Sequence, residues 1–238
     1  MLNKGILLNT SDGWKPSLVT ETSRNIYRHD NGMGTVIEFD MYGTDTKLFV
    51  PDAKYRSSSM VNWGSLTSEA KSELVSELVP IPGSSFYIIN GASYSHTTIL
   101  SPIPTDAELQ SLMPLSSVQS AKTCTDAIVN VLGDSTDYAA GLARSCVIDG
   151  LGAMDLPNFY ELLVCWCEAD NIDNIDPTAE NYPKTKLGYT VERFHGLYYW
   201  SSSVHTTSMT NAWRVLGDGE CFADVMSNVA MILPVLEL

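Results

Sequence analysis

Histidine and serine are the residue types in this chain that could form a nucleophile–base pair. The histidines are His29, His96, His195 and His205. Ser201, Ser202 and Ser203 lie just before His205, and a histidine beside a serine hydroxyl can activate it for attack on a carbonyl. Neither a G-x-S-x-G elbow nor an S-x-x-K spacing accompanies these serines. The pattern therefore favours a polar strand end over a serine hydrolase.

The acidic run at residues 170–176 is the strongest candidate for a metal site. A calcium loop of the EF-hand type needs carboxylates at positions 1, 3 and 5, a glycine at 6 and a glutamate at 12. Here Asp170, Asp173 and Asp176 fall on every third residue, and the run contains no glycine. Two interpretations remain, a calcium loop and a solvated loop, and the spacing favours the solvated loop.

The cysteines have neither zinc-finger nor redox spacing. They are Cys124, Cys146, Cys165, Cys167 and Cys221. Cys165 and Cys167 lie two apart in a helix-like apolar run, so they do not share a helix face. Cysteine is among the residue types most often buried, and we predict buried free thiols in a protein folded in a reducing cytoplasm.

Aromatic and hydroxyl-bearing residues concentrate between residues 198 and 214. Tyr198, Tyr199, Trp200, His205, Thr206, Thr207, Asn211, Trp213 and Arg214 all lie in this segment. Aromatic faces stack on sugar rings or side chains, and short hydroxyls and amides supply adaptable hydrogen bonds. Trp200 and Trp213 are interpreted as core residues of adjacent strands, which leaves the loop between those strands as the contact surface.

The elements that would position this segment follow from hydrophobic periodicity and turn signals. Strands are expected at 34–39 and 47–50, joined by a turn at 42–45, and a helix is expected over 67–78. Residues 83–114 are rich in serine, proline and glycine and predict an irregular insertion. Further helices are expected at 121–132 and 157–169, and strands at 197–203, 211–216 and 229–235. Helices flanked by strands near both ends predict an α+β domain whose ends meet in one sheet.

Composition excludes several classes of function. The chain has 238 residues, with 14 Lys and Arg against 28 Asp and Glu, for a net charge of −14. A nucleic-acid binder needs clustered cations, as does docking on anionic lipid headgroups. No apolar run reaches the roughly 18 residues of a membrane span. The apolar stretch at the N-terminus is confined to Ile6, Leu7 and Leu8, so we expect no classical secretory signal.

Several short motifs resemble, in order, those of the Lcl C-terminal-type domain family. Tyr199-Trp200-Ser201-Ser202-Ser203, Asn211-Ala212-Trp213-Arg214-Val215 and Ile232-Leu233-Pro234-Val235 are similar to the family's C-terminal pattern. Asp155-Leu156-Pro157 with Glu161-Leu162 resembles the start of its second helix, and residues 121–128 resemble the preceding helix. Met154 stands where a tryptophan is usual. The resemblance covers about residues 31–238.

The resemblance implies a C-type-lectin-like fold without the calcium-dependent sugar motifs of animal lectins. It also implies no enzymatic activity, because the paired cysteines of the related formylglycine-generating enzymes have no counterpart. We therefore expect residues 1–30 to form an N-terminal arm for attachment or oligomerisation. Residues 31–238 would form one α+β domain with an insertion at about 65–115. No cofactor and no metal are expected.

The family occurs in bacteriophage fibres and other virion proteins and in bacterial surface proteins. The resemblance thus implies a virion protein, a head or tail fibre or decoration subunit, that binds a glycan or protein of the host surface. A bacterial cell-surface adhesin or carbohydrate-binding protein is the alternative. The expected partners are other virion proteins and further copies of the chain, with a trimer favoured. The expected ligand-binding residues are Tyr198, Ser202, His205, Thr206, Thr207, Asn211, Arg214 and Asp218.

Overall fold

One antiparallel sheet joins strands from both ends of the chain. The computed structural model describes residues 6–10, 13–17, 24–78, 80–81, 86–88, 104–112, 119–179, 197–205, 210–217 and 219–238. The sheet order is β14-β5-β4-β3. Its strands are β3 (Asn25–Arg28), β4 (Gly34–Asp40), β5 (Asp45–Pro51) and β14 (Leu236–Glu237). The α+β class and the meeting of the two ends in one sheet are confirmed.

The hairpin of β4 and β5 closes through a two-residue loop where the sequence predicts a turn. Met41 and Thr44 exchange backbone hydrogen bonds of 2.8 and 3.1 Å. Tyr42 and Gly43 both have positive φ, 52° and 85°. That combination matches the right-handed twist of the flanking strands. The Tyr42 ring packs at 5.3 Å from the ring of Tyr160, which anchors the turn on the helix behind it.

A second antiparallel sheet has the order β10-β11-β12-β7. Its strands are β7 (Phe86–Ile88), β10 (Tyr199–Val204), β11 (Asn211–Val215) and β12 (Glu220–Val225). The predicted insertion thus contributes one strand, β7, and also a helix, α2 (Asp106–Leu112). Of the predicted irregular stretch, residues 83–114, the segments 83–85, 89–103 and 113–114 lie outside the described residues. The stretch was predicted to be irregular, and at β7 and α2 that prediction is wrong.

Side-chain caps begin the helices at the predicted places. α1 (Ser68–Glu77) follows Thr67, whose hydroxyl accepts from the Ala70 amide, and α3 (Ala121–Leu132) follows Ser120, whose hydroxyl accepts from the Thr123 amide. Such caps satisfy amides that have no partner within the helix. α3 ends at Gly133, which has a φ of 79° and can take that conformation without a Cβ penalty. α4 (Ala139–Ser145) follows.

The helix predicted over 157–169 is α5 (Phe159–Cys167), and it is buried on every side. Asn158 and Glu161 form a reciprocal capping box at its start. A further helix, α6 (Ala169–Ile175), follows directly. The solvated loop predicted for 170–176 is therefore wrong. Asp176 is buried, and its carboxylate accepts from the amides of Ala53 and Thr178 at 2.6 and 2.7 Å.

The hydrophobic core lies on both faces of the second sheet. Trp213 and Val215 face α5 in one cluster, and Trp200 and Ala212 face α1 and α3 in another. Both tryptophans are fully buried, so the prediction that they are core residues is confirmed. All five cysteines are buried free thiols, as predicted. No helix within the described residues is long and apolar enough to cross a membrane.

Three small antiparallel pairs complete the fold. They are β1 (Ile6–Thr10) with β2 (Gly13–Ser17), β6 (Val61–Asn62) with β13 (Val229–Ala230), and β8 (Val147–Ile148) with β9 (Gly152–Ala153). Residues 229–235, predicted as one strand, contain only β13. The segment predicted as an arm, residues 1–30, contains two different parts. Its hairpin β1–β2 forms a separate sheet, whereas β3 is an edge strand of the first sheet.

Candidate functional site

The residues predicted to bind a ligand differ widely in exposure. Tyr198 and Asn211 are half-buried, whereas Ser202, His205 and Arg214 are buried. Thr206, Thr207 and Asp218 lie outside the described residues. The five described residues lie on or beside β10 and β11, so the fold brings them to one sheet.

The three serines that follow Trp200 form a bulge in β10. Trp200 opposes Arg214 and Val204 opposes Ala212, so three residues of β10 lie across from Trp213 alone. Bulges re-aim side chains and disturb the regular ladder. Ser201 Oγ donates to the Trp213 carbonyl at 2.8 Å, and Ser202 donates from its amide and its hydroxyl to the Pro157 carbonyl. Ser202 is fully buried, so its predicted place on a ligand-binding surface is wrong: it positions the chain before α5.

Ser203 completes this arrangement, and its replacement by alanine should be costly. Its hydroxyl accepts from the amide of Phe159, the first residue of α5, at 3.0 Å. Alanine would leave that buried amide without an acceptor, so we expect a loss of about 1–2 kcal/mol of unfolding free energy in urea titrations. The control is Ser145→Ala, whose exposed hydroxyl donates to the Leu142 carbonyl. Equal losses for the two variants would contradict this role of Ser203.

His205 is also a buried residue. It is 9% exposed, its ring centroid lies 5.5 Å from that of Trp213, and its amide donates to the Asn211 carbonyl at 3.0 Å. His205 was predicted as a surface contact, and the structure shows a buried residue instead. Since the hydroxyls of Ser201 and Ser202 donate to backbone carbonyls, the hydrogen bonds here are those of a polar strand end.

A guanidinium packed against two aromatic rings lies on β11, an inner strand of the same sheet. The Cζ of Arg214 is 3.7 Å from the ring centroid of Tyr198 and 4.6 Å from that of Phe222. Its Nη2 pairs with Asp224 Oδ2 at 2.5 Å. Burial lowers the pKa of Arg214, and the Asp224 carboxylate opposes that shift. We call this set of Tyr198, Arg214, Phe222 and Asp224 the aromatic–arginine cluster.

The cluster presents aromatic surface more than charge. Tyr198 and Phe222 are half-buried, whereas Arg214 is only 8% exposed. Asp224 also accepts two bonds from the Asn228 amide group, at 3.0 and 2.9 Å, so the acidic partner is held in place. The Nε of Arg214 is buried without a hydrogen-bond partner. Arg214 therefore packs against the two rings, and its predicted direct contact with a ligand is restricted to a small part of its surface.

An open cleft lies at the other end of β11 and β12. Its volume is about 260 Å³, and it is lined by Gly64, Ser65, Leu66, Thr210, Val225, Met226 and Ser227. Thr210 is the residue that leads from the predicted binding loop into β11. Val225 is 46% exposed, which provides apolar contact surface. Three separate chain segments form this cleft, and those at 64–66 and 225–227 were not among the residues predicted to bind a ligand.

Within the described residues, no group of three or more His, Cys, Asp and Glu side chains is arranged to hold a metal ion. The acidic run at 170–176 lies within these described residues. Its carboxylates are distributed over a buried helix: Asp176 faces the 3-10 turn at Ala53–Tyr55, where Arg56 lies 3.3 Å from it.

No family model, no curated protein and no solved structure matches this chain. The resemblance to the Lcl C-terminal-type domain family thus stays a prediction based on the motifs. The α+β class is established by the structure.

Proposed function

We propose that this chain is a C-type-lectin-like structural subunit of a bacteriophage virion, in a head or tail fibre or as a decoration protein. It acts by binding a glycan or protein of the host surface, without enzymatic activity. The bound surface runs along β11 and β12, from the aromatic–arginine cluster to the cleft at Thr210. The part of the N-terminal arm that contains the hairpin β1–β2 connects the subunit to other virion proteins and to further copies of the chain.

The observation that carries this proposal is the order of groups along the sheet. The register pairs Arg214 with Phe222 and Ala212 with Asp224. Because residues two apart on a strand share a face, an aromatic pair and a fixed carboxylate follow one another on one face of the sheet, and Asn211 lies at the strand end beside the cleft. Aromatic rings and short amides are typical of surfaces that bind sugars or proteins. Because Trp213 of β11 and Trp200 of the neighbouring β10 are fully buried in the core, this surface is held on a rigid support.

The size of the cleft restricts the ligand. Pockets that enclose drug-sized molecules have volumes of roughly 300–1,000 Å³, whereas this cleft has about 260 Å³. It accommodates one sugar ring or one protein side chain, with the rest of the ligand lying across the sheet. Such a contact is weak on its own, and many copies on one particle would raise the overall affinity by avidity.

The binding surface is tested by alanine substitution of Thr206, Thr207 and Asn211 together. We expect at least about a tenfold loss of binding, equivalent to ~1.4 kcal/mol, with a nearly unchanged Tm. Binding is measured with labelled protein on intact bacterial cells and on an array of bacterial surface polysaccharides. The control combines Thr44→Ala with Asn25→Ala, an exposed residue of the β4–β5 turn and an exposed residue of β3. A large fall in Tm, or equal binding by both variants, would contradict the assignment of this surface.

The virion assignment is tested separately, with antibodies against the protein. Electron microscopy of purified phage particles from the source should show labelling at the capsid or the tail. Labelling of the cell envelope alone would favour a bacterial adhesin, and particles without label would contradict the virion role.

A further inference from the structure

The hairpin β1–β2 is a two-stranded sheet that is separate from the other sheets. Its register pairs Ile6 with Ser17, Leu8 with Lys15 and Thr10 with Gly13. A two-stranded hairpin by itself is marginally stable in water, and further strands or a packing partner are needed. A further strand can pair only at one of the two outer edges of this hairpin.

Proline determines which backbone groups point outward. Pro16 lies inside the ladder opposite Leu7, with paired residues on both sides of it. Because proline has no N–H, it fits in a ladder where that position faces away from the partner strand. Antiparallel pairs alternate between those that exchange hydrogen bonds and those that do not. The amides and carbonyls of Leu7 and Asn9 therefore point to the outer edge of β1, and those of Trp14 to the outer edge of β2.

The two outer edges differ in how well they are protected. Lysine and proline on an edge strand oppose pairing with another chain. β2 has both, at Lys15 and Pro16, and its sequence is GWKPS. β1 has the sequence ILLNT, with no charged residue and no proline. Among the described strands none pairs with the outer edge of β1, and that edge carries no residue that opposes pairing, whereas the outer edge of β2 carries two.

We propose that β1 pairs antiparallel with β1 of a second copy of this chain, about a two-fold axis at Leu8. This inference rests on the proposal that the N-terminal arm mediates assembly. Leu7 of each copy then exchanges hydrogen bonds with Asn9 of the other, and the strand order is β2-β1-β1-β2. A two-fold interface of this kind is closed, because both outer edges carry Lys15 and Pro16. It produces a dimer, in place of the trimer that the resemblance favours.

The experiment is disulfide trapping with the full chain carrying Leu8→Cys. On the axis, the two Cα atoms at position 8 form a pair without hydrogen bonds, at about 4.5 Å, within the range of about 4.4–6.8 Å that a disulfide spans. Since all five natural cysteines are buried, background cross-linking is low. With oxidised glutathione we expect most of the protein to run as a dimer, and as a monomer after reduction.

Lys15→Cys is the matched control on the other strand. In the proposed sheet the two copies of residue 15 are three strand spacings apart, about 14 Å, so we expect no dimer. Two proline variants, each combined with Leu8→Cys, test the edge itself. Asn9→Pro removes one outward amide from β1 and should abolish the cross-link. Trp14→Pro removes the opposed outward amide from β2 and should leave the cross-link intact.

Three outcomes overturn the proposal. These are a monomer with Leu8→Cys, equal cross-linking with Lys15→Cys, or a trimer by light scattering of the wild-type chain. None of them changes whether antibodies label phage particles. Failure of this pairing is therefore distinguishable from failure of the virion assignment.

Discussion

Replacement of Arg24 by alanine should lower the unfolding free energy by about 3–5 kcal/mol, the loss typical of breaking a buried ion pair. The Arg24 side chain is fully buried, and each of its nitrogen atoms has an acceptor. Nε donates to Asp106 Oδ1 at 2.8 Å, Nη1 to Glu168 Oε1 at 2.8 Å, and Nη2 to the Pro104 carbonyl at 2.9 Å. Alanine would leave the fully buried carboxylate of Glu168 without its cation.

The loss should be large because Arg24 connects three parts of the fold. Asp106, at the start of α2, also accepts from the amide of Asp40 at the end of β4. Glu168, at the junction of α5 and α6, also accepts from Asn171. Removal of the guanidinium therefore releases two segments at once, the chain that leads into β3 and the start of α2.

The measurement is urea unfolding followed by tryptophan fluorescence. Lys47→Ala is the control, because Lys47 pairs with Glu38 at 2.7 Å on the surface, where ion pairs contribute little. Glu168→Gln in the Arg24→Ala background should recover part of the loss, since it removes the uncompensated charge. A loss below about 1 kcal/mol for Arg24→Ala would contradict the attachment of residue 24 to the domain.

Glu161→Gln should stabilise the protein at pH 8 relative to wild type, and much less at pH 4. Glu161 is fully buried, and its carboxyl shares the amide of Ala121 with Glu237, at 3.4 and 3.0 Å respectively. Burial raises the pKa of Glu161 well above 4.5, and the hydrogen bond and charge of Glu237 raise it further. Two carboxyl groups in contact require a proton between them.

The direction of the pH effect follows from proton uptake on folding. The folded-state pKa of Glu161 lies above the 4.5 of an ordinary glutamate. The contribution of protonated Glu161 to the unfolding free energy is complete below pH 4.5. It declines as the pH rises towards the folded-state pKa, by at most about 1.4 kcal/mol per pH unit. Burial raises the pKa of the nearby Cys124 thiol to about 12, so that thiol stays neutral in this range.

Glutamine removes this titration and keeps the capping hydrogen bond, while the Ala121 amide, which loses Glu161 as an acceptor, still donates to Glu237 at 3.0 Å. The glutamine carbonyl can accept from the Asn158 amide, as Glu161 Oε2 does at 2.7 Å, and its amide can donate to Glu237. Glu161→Ala is the matched comparison: it removes the capping box and should destabilise the protein at every pH. The check is unfolding free energy between pH 4 and 8. A difference between glutamine and wild type that does not change with pH would contradict the shared proton.

Local signals were sufficient for most helices and strands of this fold. The caps at Thr67 and Ser120, the glycine at 133 and the turn at 42–45 each depend on groups a few residues apart. The burial of Trp200 and Trp213 was also predictable from the sequence, because large aromatic residues on adjacent strands pack in the core. These features were correctly predicted from the order of residues alone.

The failures concern polar residues whose partners are distant in the chain. Serine and aspartate normally predict exposure, but Ser202 and Asp176 are buried, because Pro157 and Ala53 supply hydrogen-bonding groups from other elements. The strand and helix found inside residues 83–114 depend on partners at β12 and Arg24, which no local window contains.

The sequence by itself thus determined the α+β class, most of the element boundaries, the buried thiols and the two core tryptophans. Only the tertiary structure decided which polar residues are buried, and it alone assembled the cleft and the aromatic–arginine cluster. The physical reason is the range of the forces involved. Caps, turns and periodicity act within about one helical turn, whereas a buried charge is tolerated only when the fold brings its partner. For Arg24 that partner lies 144 residues away, at Glu168.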